Sequence, residues 1–315
     1  MTANKRLWML LFPWLLTACA FDNDAAYEPV TKAAVILAED SSGAKSLIHI
    51  SGGQMDTAWA ASLLAGASLT DMSGDGEGVW IATKEGGLFK IDAEGLVNQT
   101  FTLNNITPHF ICAGLDYVMI SDSSRDQVVF VRKKEGHISL RSSMGKPGFL
   151  VYKSGKFYVK EDSSRVGIYR EVALARTGAV ETGHRIWDMI PGSRSAIYVY
   201  GGEGTRYESQ IDYNEDRISV EAVPVPYVKI RRSPYRVSRF GKEYTGYATL
   251  EGTRVSPGPP DAAQDFEADF FESLIYYRRQ DSVFAWPIFI QQRTFLGRSD
   301  KKFLKSYYIP GYADE

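Results

Sequence analysis

The chain has 315 residues, 44% hydrophobic and 23% charged, with 36 Lys+Arg against 38 Asp+Glu and a formal charge of −2. This composition excludes long disorder and collagen-like repetition, and two cysteines are too few for a disulfide-stapled miniprotein. A near-neutral chain carries no basic footprint, so no nucleic-acid partner is expected.

At the N-terminus Lys5 and Arg6 precede the apolar run Leu7-Trp8-Met9-Leu10-Leu11-Phe12-Pro13-Trp14-Leu15-Leu16, followed by the small residues Thr17 and Ala18 and then Cys19. A basic start, an apolar stretch and a small-residue exit form the three-part secretory signal. The run is shorter than the roughly 20 residues that cross a bilayer, so a permanent spanning helix is not expected. Leu16-Thr17-Ala18-Cys19 resembles the lipobox of bacterial lipoproteins, in which the cysteine is lipidated and becomes the first mature residue. Ala20 is not the aspartate that retains such proteins in the inner membrane. The resemblance therefore implies an outer-membrane lipoprotein of the cell envelope, facing the periplasm or the surface. The alternative is an ordinary signal peptide with a chance cysteine. Each buried acyl CH₂ contributes about 0.8 kcal/mol, so a multiply acylated Cys19 would suffice as the membrane anchor. The expected organisation is a signal peptide over 1–18, a lipidated tether over 19–29, a body over 30–310 and a tail over 311–315. Removing Lys5 and Arg6 takes the 36 basic residues to 34 against 38 acidic ones, a mature charge of −4. With Cys19 lipidated, Cys112 has no intramolecular partner. Its surroundings, Phe110-Ile111-Cys112-Ala113-Gly114, read as a buried strand with a core thiol.

The body is a repeat. Short β-rich runs recur at Ala34-Val35-Ile36-Leu37, Val79-Trp80-Ile81-Ala82, Tyr117-Val118-Met119-Ile120, Phe157-Tyr158-Val159-Lys160 and Ile197-Tyr198-Val199-Tyr200, with weaker copies at Tyr244-Thr245-Gly246-Tyr247 and Val283-Phe284-Ala285-Trp286. Counted from Val35, their starts lie 44, 38, 40, 40, 47 and 39 residues apart. The turn Asp40-Ser41-Ser42-Gly43 returns as Asp122-Ser123-Ser124-Arg125 and Asp162-Ser163-Ser164-Arg165, with a third run beyond it. β-Branched and aromatic runs bounded by Gly, Ser and Asp are the hairpin signature. A period near 40 with four short strands per unit predicts an all-β β-propeller, with strands over 68–72, 79–82, 88–91 and 97–103 in the second unit. Seven blades fit the seven units. Six are the alternative if the region after Pro224 is one distorted unit, and a pair of β-sandwich domains is the competing architecture. The stretch from Asp116 to Val131 resembles the blades of NHL-type and related propellers, which implies an architecture only.

Arg125 and Arg165, in the same turn of adjacent units, join Arg206 and Arg254 in Gly-Thr-Arg turns as a candidate face for an anionic partner such as a carboxylated or phosphorylated glycan. The plainer reading pairs each with a neighbouring acid. Arg231, Arg232, Tyr235, Arg236 and Arg239 form a candidate docking patch. Asp261 to Glu272, after Pro257, Pro259 and Pro260, reads as an acidic insertion able to form a short amphipathic helix. Asp71-Met72-Ser73-Gly74-Asp75-Gly76-Glu77 starts like a calcium loop, but the twelfth position is Ala82 rather than Glu, so a turn between strands is the better reading. The four histidines are scattered, and no nucleophile elbow, P-loop or dinucleotide fingerprint is present; no metal site or cofactor is assigned. The expectation is a lipid-anchored envelope propeller that binds or scaffolds protein or glycan partners. The alternative is a periplasmic propeller hydrolase or lactonase with a metal in its central channel.

Overall fold

The computed structural model describes residues 34–51, 53–60, 64–92, 95–191, 196–202, 207–224, 235–240, 244–249, 255–257, 265–269, 274–287 and 294–308. Leu16, Thr17, Ala18 and Cys19 lie outside the described residues, as do Arg206, Arg231, Arg232 and Arg254. Among the described residues every regular element is a β-strand.

The strands form consecutive antiparallel sheets, which we number along the chain. Sheet 1 holds β1 (Ala34–Glu39), β2 (Lys45–Ser51) and β3 (Gln54–Asp56). Sheet 2 is β4 (Leu69–Gly74), β5 (Val79–Thr83), β6 (Gly87–Ile91) and β7 (Val97–Thr102). Sheet 3 is β8 (Phe110–Ala113), β9 (Tyr117–Asp122), β10 (Gln127–Arg132) and β11 (Ile138–Ser143). Sheet 4 is β12 (Leu150–Lys153), β13 (Lys156–Lys160), β14 (Arg165–Arg170) and β15 (Ala175–Glu181). Sheet 5 is β16 (Ile186–Pro191), β17 (Ala196–Gly201), β18 (Tyr207–Asp212) and β19 (Arg217–Pro224). Sheet 6 is β20 (Tyr235–Phe240), β21 (Tyr244–Thr249) and β22 (Val255–Pro257), and sheet 7 is β23 (Asp265–Asp269), β24 (Leu274–Arg279), β25 (Ser282–Pro287) and β26 (Thr294–Arg298). The last strand, β27 (Lys302–Tyr308), returns to pair antiparallel with β1, so sheet 1 runs β27-β1-β2-β3.

Residue alternation on the middle strands explains how the sheets stack. On β5, Val79 and Ile81 turn to Val35, Leu37 and Leu47 of sheet 1, whereas Trp80 and Ala82 turn to Ile111, Val118 and Ile120 of sheet 3. On β9 and β10, Met119, Val128 and Phe130 meet Leu150, Phe157 and Tyr169 of sheet 4. Tyr158, Val166 and Ile168 of sheet 4 meet Ile197, Val199 and Ile211 of sheet 5. Ala34, Ile36 and Ile48 of sheet 1 meet Val283, Ala285 and Leu296 of sheet 7. The core is thus a series of apolar layers between sheets, and a middle strand buried on both faces is apolar almost throughout. The outermost β7 alternates instead, its even residues exposed. From sheet 7 through sheet 1 to sheet 5 the first strand of one sheet packs on that of the next: β23 on β27, β27 on β4, β4 on β8, β8 on β12 and β12 on β16. This is a β-propeller with first strands innermost, which excludes the sandwich pair, where each sheet packs on one face only.

Six of the seven repeat runs lie within the second strand of their sheets, β1, β5, β9, β13, β17 and β21, whereas the weaker copy Val283-Phe284-Ala285-Trp286 lies in β25, the third strand of sheet 7. The acidic stretch departs from expectation. Asp265-Phe266-Glu267-Ala268-Asp269 is the strand β23, paired with β24, and not part of an amphipathic helix. Its strict polar-apolar alternation is the period of a strand.

Candidate functional site

One hairpin face of the propeller is built from the turns between first and second strands and between third and fourth strands. The first residue after the third strand reaches back from there to the preceding sheet. After β10, the Lys133 ammonium donates to Asp75 Oδ2 at 2.9 Å and to the Gly114 carbonyl at 2.6 Å. After β14, the buried Glu171 accepts from the backbone N–H of Leu115 at 3.1 Å, Asp116 at 2.8 Å and Tyr117 at 3.0 Å, and from the Tyr152 hydroxyl at 2.5 Å. After β18, the Tyr213 carbonyl accepts from Lys156 Nζ at 2.7 Å, and Asp216 in the same turn takes that ammonium at 2.7 and 2.8 Å. Sheets 2 to 5 are thereby joined at equivalent places. Burial alone would raise the Asp75 carboxyl, but Lys133, the Trp80 indole and the Glu77 amide outweigh it and hold the pKa below the usual range. Burial and Glu171 push the Tyr152 hydroxyl up, so it stays a donor.

The inner strands carry a second set of links. Asp71 and Ser73 on β4 present their side chains to the next inner strand, where Asp71 Oδ2 accepts from Ile111 N–H at 3.0 Å and Ser73 Oγ from Ala113 N–H at 2.9 Å. Lys305 on β27 donates to Asp71 at 3.2 Å and to the Met72 carbonyl. Side chains therefore satisfy an edge that main-chain pairing leaves open. The calcium-like segment divides accordingly: residues 71–74 are strand and 75–78 are turn, with the Asp71 and Asp75 carboxylates holding lysines. Cys112 is buried beside this network, and burial pushes its thiol up to about 11. It is a core residue.

The opposite face carries the turns between second and third strands. Asp40 Oδ1 accepts from the N–H groups of Ser42 at 2.8 Å and Ala44 at 3.0 Å, and Asp162 Oδ1 from those of Ser164 at 2.9 Å and Arg165 at 3.0 Å. These are Asx turns. Asp122 differs: it ends β9, is fully buried, and accepts from Thr107 N–H, Ser124, Arg125 and Gln127. The tetrapeptide returns, but its register does not. Arg125 therefore sits inside a turn while Arg165 opens β14. Arg125 bonds Asp122 at 3.3 Å and Thr107 at 2.9 Å, and Arg165 lies 3.3 Å from Glu161 and 3.5 Å from Glu181. Tyr235, Arg236 and Arg239 are on β20, opposite Thr249, Ala248 and Thr245 of β21.

His184 and Ser209 form a buried pair, 2.6 Å apart from Nε2 to Oγ. Nδ1–H donates to the Arg185 carbonyl at 3.3 Å, so Nε2 accepts the serine hydroxyl. Ser209 is fully buried and closed to substrate, which makes the pair a core hydrogen bond. Burial holds the imidazole pKa below its usual value. The unfolded chain therefore takes up the proton first, and stability present above about pH 6.5 is lost as pH falls. His49, also lowered by burial, acts in the same direction. Between pH 7.5 and 5.5 the thermal midpoint should fall, and His184→Gln should flatten part of that slope; parallel profiles for variant and wild type would refute this.

Sequence reasoning missed Glu171, Lys133, Asp216 and Lys305, and it read Asp71 as a turn residue where the structure has it in β4. The available signal was a charged residue directly after a strand or among its inner positions, which has meaning only once the sheets are stacked.

No family model matches the chain, and no curated protein matches it in sequence. Among solved structures it is similar to a Quinonprotein alcohol dehydrogenase-like protein from Bacteroides thetaiotaomicron, with 10% identity over 88% of this chain and 78% of that one and a TM-score of 0.60. It is also similar to Kuenenia stuttgartiensis hydrazine synthase, with 12% identity over 70% and 76% and a TM-score of 0.55, and to U3-55K, with 13% identity over 74% and 82% and a TM-score of 0.51. At these identities the likeness is one of fold, and the fold is an all-β β-propeller.

Proposed function

We propose that the protein is a lipid-anchored binding or scaffolding module of the cell envelope, a single ring of seven blades over residues 30–310 tethered through Cys19 to the outer membrane. The seven sheets are the seven blades, and β27 closes the ring on β1. The observation that carries the functional reading is the use made of the buried charged groups. Asp71, Asp75, Glu171 and Lys156 spend their hydrogen bonds on neighbouring sheets, which makes a rigid platform. A fixed scaffold with side chains committed to its own joints supports binding at its rims. The partners are a protein or a glycan. The contact surfaces in this reading are the turn face with Arg125, Arg165, Arg206 and Arg254, and the patch of Arg231, Arg232, Tyr235, Arg236 and Arg239.

Anchoring rests on the lipobox residues Leu16, Thr17, Ala18 and Cys19. Cys19→Ala should abolish acylation and move the protein from the membrane to the soluble fraction. Unchanged fractionation would overturn the anchor. Crosslinking in intact cells followed by purification should recover a defined partner in fixed proportion to the wild-type chain, and recovery of the chain alone would overturn the scaffolding role.

A further inference from the structure

The turns on the Glu171 face carry aliphatic side chains that the propeller leaves uncovered. Leu115, in the turn between β8 and β9, is 76% exposed, and Val172, in the turn between β14 and β15, is 98% exposed. They belong to neighbouring sheets, and the joint between those sheets brings their turns together: Glu171, the residue before Val172, takes the Leu115 N–H at 3.1 Å. The same carboxylate accepts from Asp116 and Tyr117, so Leu115 stands on a turn fastened at three successive amides. Leu96, in the turn between β6 and β7, is exposed on this face too. Of the four large apolar side chains exposed among the described residues, three are thus on one face, and the fourth, Phe295, is on the outer strand β26. Aliphatic groups held rigidly in water at one face mark a contact surface.

The charge beside them is positive. Arg170 ends β14 immediately before Glu171, and Lys134 follows Lys133, whose backbone N–H donates to the Asp116 carbonyl at 2.9 Å. Both side chains are exposed, and among the described residues neither has a carboxylate within ion-pair distance. The acids nearby are taken or outnumbered: Asp75 holds Lys133 at 2.9 Å, Glu135 pairs with Arg132 at 3.1 Å, and Asp116 stands against two cations. Aliphatic side chains flanked by unpaired cations suit an anionic phospholipid surface, with the former in the acyl boundary and the latter on headgroup phosphates. The path of the chain points to the same occupant. On β1, Ala34 pairs with Ile50 and Glu39 with Lys45, so the strand runs towards the Asp40 turn on the opposite face and begins at the face of Leu115 and Val172. The chain coming from Cys19 therefore enters the propeller on this side, and an acyl group on that cysteine tethers this face to the bilayer.

We propose that the face with Leu115 and Val172 docks on the phospholipid surface, the two side chains in the acyl boundary and Lys134 and Arg170 on anionic headgroups, which turns the opposite face, with Arg125 and Arg165, towards partners. The docking rests on the reading of Cys19 as the lipid anchor and adds an orientation to it. The test takes the mature acylated protein into vesicles of phosphatidylethanolamine and phosphatidylglycerol in equal amounts. A bimane fluorophore is attached through Val172→Cys or, on the opposite face, through Ser163→Cys; Cys112 is buried and takes no label. Lipids brominated along their acyl chains should quench the probe at position 172 several-fold more than the probe at 163. Leu115→Glu should bring the quenching at 172 down to the level at 163, with flotation and thermal midpoint at their wild-type values, and Lys134→Glu with Arg170→Glu should lower it by about half. Equal quenching at the two positions in a chain that still floats with the vesicles would overturn the docked face and leave the anchor standing. Loss of flotation would overturn both. Quenching at 172 that ignores all three substitutions would overturn the residues assigned, and chains crosslinked in pairs through position 172 would give the face to a second copy instead.

Discussion

Gly74→Ala is expected to destabilise the protein by about 3 kcal/mol, the upper part of the range for forcing an atom into a packed core, and to lower its thermal midpoint by several degrees. A Cβ at this position would lie 1.8 Å from Cζ of Tyr307 and 1.9 and 2.0 Å from its Cε atoms. The methyl group would be driven into the face of the phenol ring, and no rotamer change at an alanine relieves that. Tyr307 must leave, and its hydroxyl then gives up the Gly76 N–H that it accepts at 2.6 Å. Tyr307 belongs to β27, whose Lys305 also holds Asp71, so displacing it loosens the strand that joins the end of the chain to its beginning. A double-mutant cycle separates this from a general glycine effect. Tyr307→Ala should itself destabilise, but in that background Gly74→Ala should cost less than about 1 kcal/mol. An equal cost in both backgrounds would show that the collision is not the cause.

The repeats were legible because a middle strand of each sheet lies between two neighbours. Val79, Trp80, Ile81 and Ala82 are all buried, two facing each way, so the strand announces itself as an unbroken apolar run. Asp40 and Asp162 were legible as turn residues because their partners are two to four residues away. Asp122 in the same tetrapeptide was misread, since its partner Thr107 lies in the preceding connection, 15 residues back. The joints were less legible still. Glu171 and its amide partners are separated by 54 to 56 residues, and Lys305 and Asp71 by 234. No local spacing encodes contacts made by stacking one sheet on the next.

Glu171→Ala is expected to cost about 4 kcal/mol, because it removes an acceptor and leaves its donors behind in a part-buried joint. Oε1 serves Asp116 and Tyr117, and Oε2 serves Leu115 and Tyr152, so one carboxylate satisfies four donors across two sheets. The chain makes room for it: a Cβ on Gly114 would lie 2.5 Å from Oε1, and only glycine lets the carboxylate approach. Glu171→Gln should cost about half as much. Its amide keeps one oxygen for Asp116 and Tyr117, and the Tyr152 hydroxyl can turn to accept from the new NH₂, but the Leu115 N–H then faces a donor. Because the joint links sheets 3 and 4, hydrogen exchange should rise first at Leu115, Asp116 and Tyr117, ahead of the middle strands β9 and β13. Denaturant unfolding of the two variants checks the order Ala worse than Gln worse than wild type. Equal stability of the alanine variant and wild type would mean that water replaces the carboxylate and that the apolar layer between Phe130 and Phe157 holds these sheets by itself.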